Sequence, residues 1–148
     1  MVHQSMFMSD RSKKAVRCVA LLTVLALLVG CGAKQKSRDE LLKEFVERAL
    51  MERYLTNDYE LYLNDVDYGV ELDTVQQQML VAIHKQFADY QEKKHGPVAY
   101  VNMTDVVKEE SDSVCYVHYI VAYADSTQES AVMKVAYEGG EWKIKSRN

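Results

Sequence analysis

The hydrophobic period changes once along this 148-residue chain, at Gly96-Pro97, and that change restricts the fold more than any other feature. Before it, apolar residues recur at three- and four-residue steps, the spacing that buries one face of a helix. After it they alternate, the spacing that buries one face of a strand. Ser37 or Asp39 opens a helix whose stripe is Leu41, Leu42, Phe45, Val46, Ala49, Leu50 and Tyr54, and Thr56-Asn57-Asp58 breaks it. Residues 59–63 read as a short second helix and 64–69 as a loop. Asp73 followed by Gln76 forms the pattern of a capping box. It starts a longer helix to about Lys93, with Val75, Met79, Ala82, Ile83, Phe87 and Tyr90 as its expected core stripe. Gly96-Pro97 ends that helix.

The second half predicts four strands, over 98–107, 114–124, 129–138 and from Trp142 onward. In the first of them Ala99, Val101, Met103 and Val107 share a side. Residues 109–112 read as a solvated acidic turn, and Asp125-Ser126 and Gly139-Gly140 as tight turns. Trp142 and Ile144 are expected to point inward, with Lys143, Lys145 and Arg147 outward. Helices followed by strands joined through short turns predict an α+β fold. Its N-terminal helices pack on one face of a four-stranded antiparallel meander sheet.

Residues 1–30 obey a different rule. Arg11, Lys13, Lys14 and Arg17 precede the uncharged run 18–30. A membrane-spanning helix takes about 20 apolar residues, so this run is short for a span and fits the apolar region of a secretory signal. Leu28-Val29-Gly30-Cys31 follows directly and resembles the lipobox of bacterial lipoproteins. That resemblance implies cleavage between Gly30 and Cys31 and a membrane anchor of lipid on the Cys31 thiol. An uncleaved signal anchor is the alternative, and Met6 or Met8 serves as a start as well as Met1. The organisation read from these signals is a signal peptide over 1–30, a lipidated cysteine and polar tether over 31–38, and a folded domain over 39–148. Gly32 is not the aspartate that holds some lipoproteins at the inner membrane. By that sorting rule the expected location is the cell envelope, at the outer membrane of a Gram-negative bacterium, with inner-membrane attachment, surface display and a Gram-positive host as the alternatives.

Removing residues 1–30 leaves 14 Lys plus Arg against 21 Asp plus Glu, a formal net charge of −7. Such a domain has no basic stripe for nucleic acid and is repelled by anionic headgroups. Cys18 leaves with the signal and Cys31 is taken by lipid, so Cys115 has no intramolecular disulfide partner. In an apolar strand it is expected to be a buried, inert thiol.

The order of elements, the strand pair 114–124 and 129–138, and the closing Gly139-Gly140-Glu141-Trp142-Lys143-Ile144 hairpin resemble the nuclear-transport-factor-2-like (cystatin-like) superfamily. In particular they resemble its small bacterial lipoproteins of unknown function, over about residues 39–147. The resemblance implies a strongly curved sheet wrapped around the helices as a cone. In some members the cone holds a ligand or an active site; in others it is filled, or the sheet's outer face pairs two copies.

Catalytic relatives place Asp, His or Tyr inside the cone, where a buried carboxylate can move protons. Asp105, Tyr116, His118 and Tyr119 match no catalytic motif, so no catalytic residue is assigned. His84 and His118 supply too few ligands for zinc, and no metal or cofactor is expected. His95 reads as a solvated turn residue. All ten tyrosines follow Cys31, and Tyr116, Tyr119 and Tyr123 share one strand. They mark an ordinary central strand, a dimer or partner face, or a platform for a sugar or peptide. The first functional reading is a non-enzymatic envelope lipoprotein whose cone binds a small ligand or an exported partner. The alternatives are an assembly module pairing through its sheet face and, third, an isomerase- or dehydratase-type enzyme.

Overall fold

The computed structural model describes residues 35–146, so the signal-like segment, Gly30, Cys31 and Arg147 lie outside the described residues. Ser37, rather than Asp39, caps the first helix: its hydroxyl accepts from the Glu40 N–H at 3.2 Å, and its own N–H donates to Glu40 Oε2 at 2.8 Å. Helix α1 spans Arg38–Tyr54 and buries Leu42, Phe45, Val46, Ala49 and Leu50. Asn57 then adopts a left-handed φ of 54°, and the Asp58 carboxylate caps helix α2, Tyr59–Asn64. Asp73 and Gln76 form the expected reciprocal box at the start of helix α3, Thr74–His95. Gly96 ends α3 at φ +81°, with the Ala124 Cβ only 3.1 Å from where a side chain would begin.

The predicted antiparallel meander is present as β2 (Val98–Lys108), β3 (Val114–Tyr123), β4 (Gln128–Glu138) and β5 (Glu141–Lys145). The sheet is nonetheless five-stranded, in the order β1-β5-β4-β3-β2. The added strand β1, Val66–Asp67, comes from the stretch read as a loop and runs parallel to β5, with Val66 opposite Ile144 and Asp67 opposite Lys145. Two residues carry no periodic signal, and their pairing is made by a segment almost eighty positions away. The Ile144 N–H donates to Asp65 O and the Ser146 N–H to Asp67 O, which closes that edge.

Strand β2 carries two irregularities, between Val98 and Tyr100 and between Met103 and Asp105. Each bulge resets the alternation and bends the sheet. The inward residues of β2 are therefore Val98, Val101, Met103 and Val106, which pack on the core. Val107, expected beside Met103, is 47% exposed. The sheet's inner face continues with Cys115, Val117, Tyr119, Val121 and Tyr123, then Met133 and Val135, then Trp142 and Ile144. Cys115 is fully buried, as expected of an inert thiol.

The expected core stripe of α3 is not in the core. Val75, Met79, Ile83, Phe87 and Tyr90 are each more than half exposed. The helix instead turns Leu80, Val81, His84, Ala88 and Gln91 toward the rest of the fold, and only Gln91 of these is fully buried. Helix α3 carries two adjacent apolar strips, and periodicity alone does not choose between them. The choice comes from aromatic packing: the His84 ring stacks on Tyr59 at 5.9 Å and meets Tyr62 edge-on at 5.8 Å.

Candidate functional site: the tyrosine-lined cavity

Between the C-terminal turn of α1, α2, α3 and the inner face of the sheet lies an open cavity of about 660 Å³. Its wall includes Arg53, Tyr54, Tyr62, Tyr68, His84 and Phe87 from the helical side and Tyr119, Glu129, Met133 and Ile144 from the sheet. A smaller cavity of about 180 Å³, reaching Gln91, Pro97 and Tyr123, shares Arg53, Tyr54, His84 and Phe87 with it. The helical patterning places these groups. Arg53 and Tyr54 end α1 at its last turn, and both line the two cavities.

The polar groups form an array of two clusters, one around Arg53 and one around Glu129. Arg53 Nη1 donates to Tyr62 Oη at 2.9 Å. The guanidinium carbon lies 5.0 Å from the Tyr54 ring centre and 5.2 Å from that of Tyr62, both cation–π distances. Tyr54 Oη and Tyr119 Oη are 3.1 Å apart and hydrogen-bond each other. Glu129 accepts from Gln91 Nε2 at 3.1 Å and from Tyr123 Oη at 3.2 Å.

Burial pushes the Tyr54 and Tyr62 phenols well above their ordinary range. The Tyr123 phenol rises to about 12, through burial and then the neighbouring Glu129 charge. His84 is held below its ordinary value by burial and then by the Arg53 charge. Around neutral pH the Tyr54, Tyr62 and Tyr123 phenols thus stay protonated and the His84 imidazole neutral, beside the Arg53 cation and the Glu129 carboxylate.

Strand β3 places Tyr119 and Tyr123 on one face and Tyr116 on the other, as strand alternation expects. Tyr119 and Tyr123 are 3% and 5% exposed and face inward, Tyr119 onto the larger cavity and Tyr123 onto the smaller. Tyr116 stands on the outer face, half-buried, with its hydroxyl donating to Glu109 Oε1 at 2.9 Å and the Lys134 ammonium 5.5 Å from its ring. No continuous tyrosine surface joins them, because successive side chains of a strand alternate in direction. His118 is on the outer face as well, opposite Asp105 in the ladder.

His95, expected as a solvated turn residue, is the last residue of α3 and is bonded: Nδ1 lies 2.8 Å from Asp125 Oδ2, and the ring packs 5.3 Å from that of Tyr123. That contact and the Thr127 N–H hold the Asp125 carboxyl below its usual range. Residues 109–112 form a hairpin turn in which the Asp112 N–H donates to Glu109 O. Among the described residues, no three His, Cys, Asp or Glu side chains converge as metal ligands, and no helix is long and apolar enough to cross a membrane.

Sequence reasoning passed over Arg53, the centre of the first cluster, because a basic residue at a helix end is an ordinary solvated group by pattern. The one available signal was its position beside Tyr54, on the turn that closes the apolar stripe.

No family model matches the chain, and no curated protein matches it. A solved Campylobacter jejuni structure, described as an inferred NTF2-like transpeptidase, matches with a TM-score of 0.56 at 11% identity. The match covers 75% of this chain and 100% of that one. At that identity the match carries the architecture alone: helices followed by an unclosed, curved five-stranded sheet, which is an NTF2-like fold.

Proposed function

We propose that this chain is an envelope lipoprotein, anchored through lipid on Cys31, whose cone binds a small ligand without chemical turnover. The observation that carries the ligand-binding part is the open cavity of about 660 Å³, lined by Tyr54, Tyr62, Tyr68, Phe87 and Tyr119 together with polar and charged side chains. Small-molecule sites combine apolar walls with polar groups that set orientation, and this wall carries both, with Arg53, Glu129, Lys134 and Lys145 among its polar members. The array also lacks a poised proton-transfer pair. Its phenols are held protonated, and His84 has aromatic rings rather than a carboxylate as its neighbours. The anchor rests on the sequence signals at residues 11–31, and the outer-membrane location on Gly32.

Two experiments test this reading. Cys31→Ser should abolish palmitate incorporation in a bacterial host; retained label would remove the anchor. Native mass spectrometry of the full chain released from its membrane should show a reproducible added mass beyond the lipid. A bare chain across several growth conditions would remove the ligand.

A second reading, assembly with another copy of this chain, draws on a different observation. The exposed residues of α3 from Val75 to Tyr90 are mostly four apart and run about 22 Å along the helix at 1.5 Å per residue. That geometry suits helix-to-helix pairing better than the sheet face does, since the outer-face tyrosine, Tyr116, is already engaged. A dimer by sedimentation that Ile83→Glu dissociates would favour it. A monomer at high concentration would discard it.

A further inference from the structure

Arg53, Lys134 and Lys145 are the cations of the cavity wall, and Lys134 lies 5.5 Å from the centre of the outer-face Tyr116 ring. Several other cations have carboxylate partners: Arg48 has Asp65, Lys108 has Asp39, and Lys145 has both Asp67 and Glu138. No described carboxylate forms an ion pair with Arg53. Glu129, the carboxylate on the same wall, has both oxygens engaged by Gln91 and Tyr123. A guanidinium carries five N–H donors and stays charged at any working pH. Tyr62 Oη takes one of them, and no second protein acceptor is found among the described residues. None of the Arg53 nitrogens is among the buried atoms cut off from solvent, so the remaining donors are reachable from the cavity.

The cation is also held in place. The Tyr54 and Tyr62 rings flank it, and Tyr54 is itself tied to Tyr119. Its rotamer entropy is therefore spent in folding rather than on binding. A fixed guanidinium with free, forked N–H groups matches the oxygens of a carboxylate or a phosphate. Phe87, Met133 and Ile144 supply the apolar part of the same wall, among polar neighbours that include Ser130 and Lys134.

We propose that the cavity takes a ligand bearing one oxyanion, carboxylate or phosphate monoester, on an apolar body, with the oxyanion on Arg53 and the body against Phe87, Met133 and Ile144. This rests on the ligand-binding reading and names its chemistry.

The test uses the full chain in detergent and three probes with one shared body: 2-naphthoate, 2-naphthyl phosphate and 2-naphthamide. Calorimetry gives the affinities, and the Arg53 Nε–H resonance reports contact. A charge-assisted bond to a guanidinium should favour an anion over the neutral amide by about 10-fold or more. The preferred anion tells carboxylate from phosphate. The Arg53 resonance should move with that anion and not with the amide. Arg53→Gln should erase the preference, while Arg53→Lys should keep part of it. If Arg53→Gln does not fold, the wild-type comparison and Arg53→Lys decide. Equal binding of amide and anions overturns the oxyanion and leaves the ligand-binding reading standing. Binding of none of the three overturns the oxyanion too, and the added mass in native spectrometry then decides the broader reading separately.

Discussion

Replacing Tyr119 and Tyr116 separately by alanine tests which way each side of β3 faces. Tyr119 is 3% exposed, its ring packs 5.9 Å from Tyr54, and its hydroxyl bonds Tyr54 Oη at 3.1 Å. Truncating a buried aromatic costs about 3–5 kcal/mol. Loss of the hydroxyl partner adds about 1 kcal/mol. The site borders an open cavity, so water can enter the space and rescue the Tyr54 hydroxyl, which pulls the total to about 3–4 kcal/mol. Tyr116 gives up an exposed hydrogen bond to Glu109, a cation–π contact with Lys134 and some strand preference. Together these are worth about 1 kcal/mol. The chain's single tryptophan, Trp142, is 5% exposed and lies 5.2 Å from Tyr137, so its fluorescence reports loss of the core. In urea, with a slope of about 1–3 kcal/mol per molar, the Tyr119→Ala midpoint should fall at least twice as far as that of Tyr116→Ala. Tyr119→Phe should fall by about 1 kcal/mol only. Equal losses for the two alanine variants, or a larger loss at Tyr116, would refute the assignment of faces.

Three other outcomes are expected. Ile83→Lys on the exposed strip of α3 should change stability by less than about 0.5 kcal/mol when the chain is monomeric, and a loss above about 2 kcal/mol in urea would return that strip to the core. Glu52 is 7% exposed with one oxygen unpartnered, and burial raises its pKa above the ordinary 4.5 against the opposing pull of Arg48. The folded state therefore holds a proton that the unfolded chain has already lost. Stability should fall as pH rises from about 4.5 through the folded pKa, and Glu52→Gln should flatten that part of the curve; an unchanged slope would contradict it. Asp67 runs the other way: hydrogen bonds from Lys145 and from the Gly69 N–H hold its carboxyl below the ordinary 3.8. Its contribution is present above 3.8 and is lost as pH falls through the depressed value, so the gap between wild type and Asp67→Asn should close in acid, and a gap unchanged down to pH 2 would argue against the β1–β5 clasp.

The elements that the sequence determined by itself are those whose signals are local. Ser37 and Glu40, Asp73 and Gln76, the Asn57 break, the Gly96 stop and the Gly139-Gly140 turn each act within a few residues. The alternation of β3 and β4 reports a sheet with one inner face, and the order of helices then strands reports the α+β class. Only the tertiary structure decided the rest, because those features join distant segments. Strand β1 exists through hydrogen bonds to β5, not through its own two residues. The bulges of β2 come from fitting it to β3, and they turned Val106 inward where alternation put Val107. The buried strip of α3 was chosen by His84 docking on Tyr59 and Tyr62, which left the more regular apolar strip outside. Arg53 became the centre of a cavity because the end of α1 meets α2 and β3, and a helical pattern ends where its last turn does.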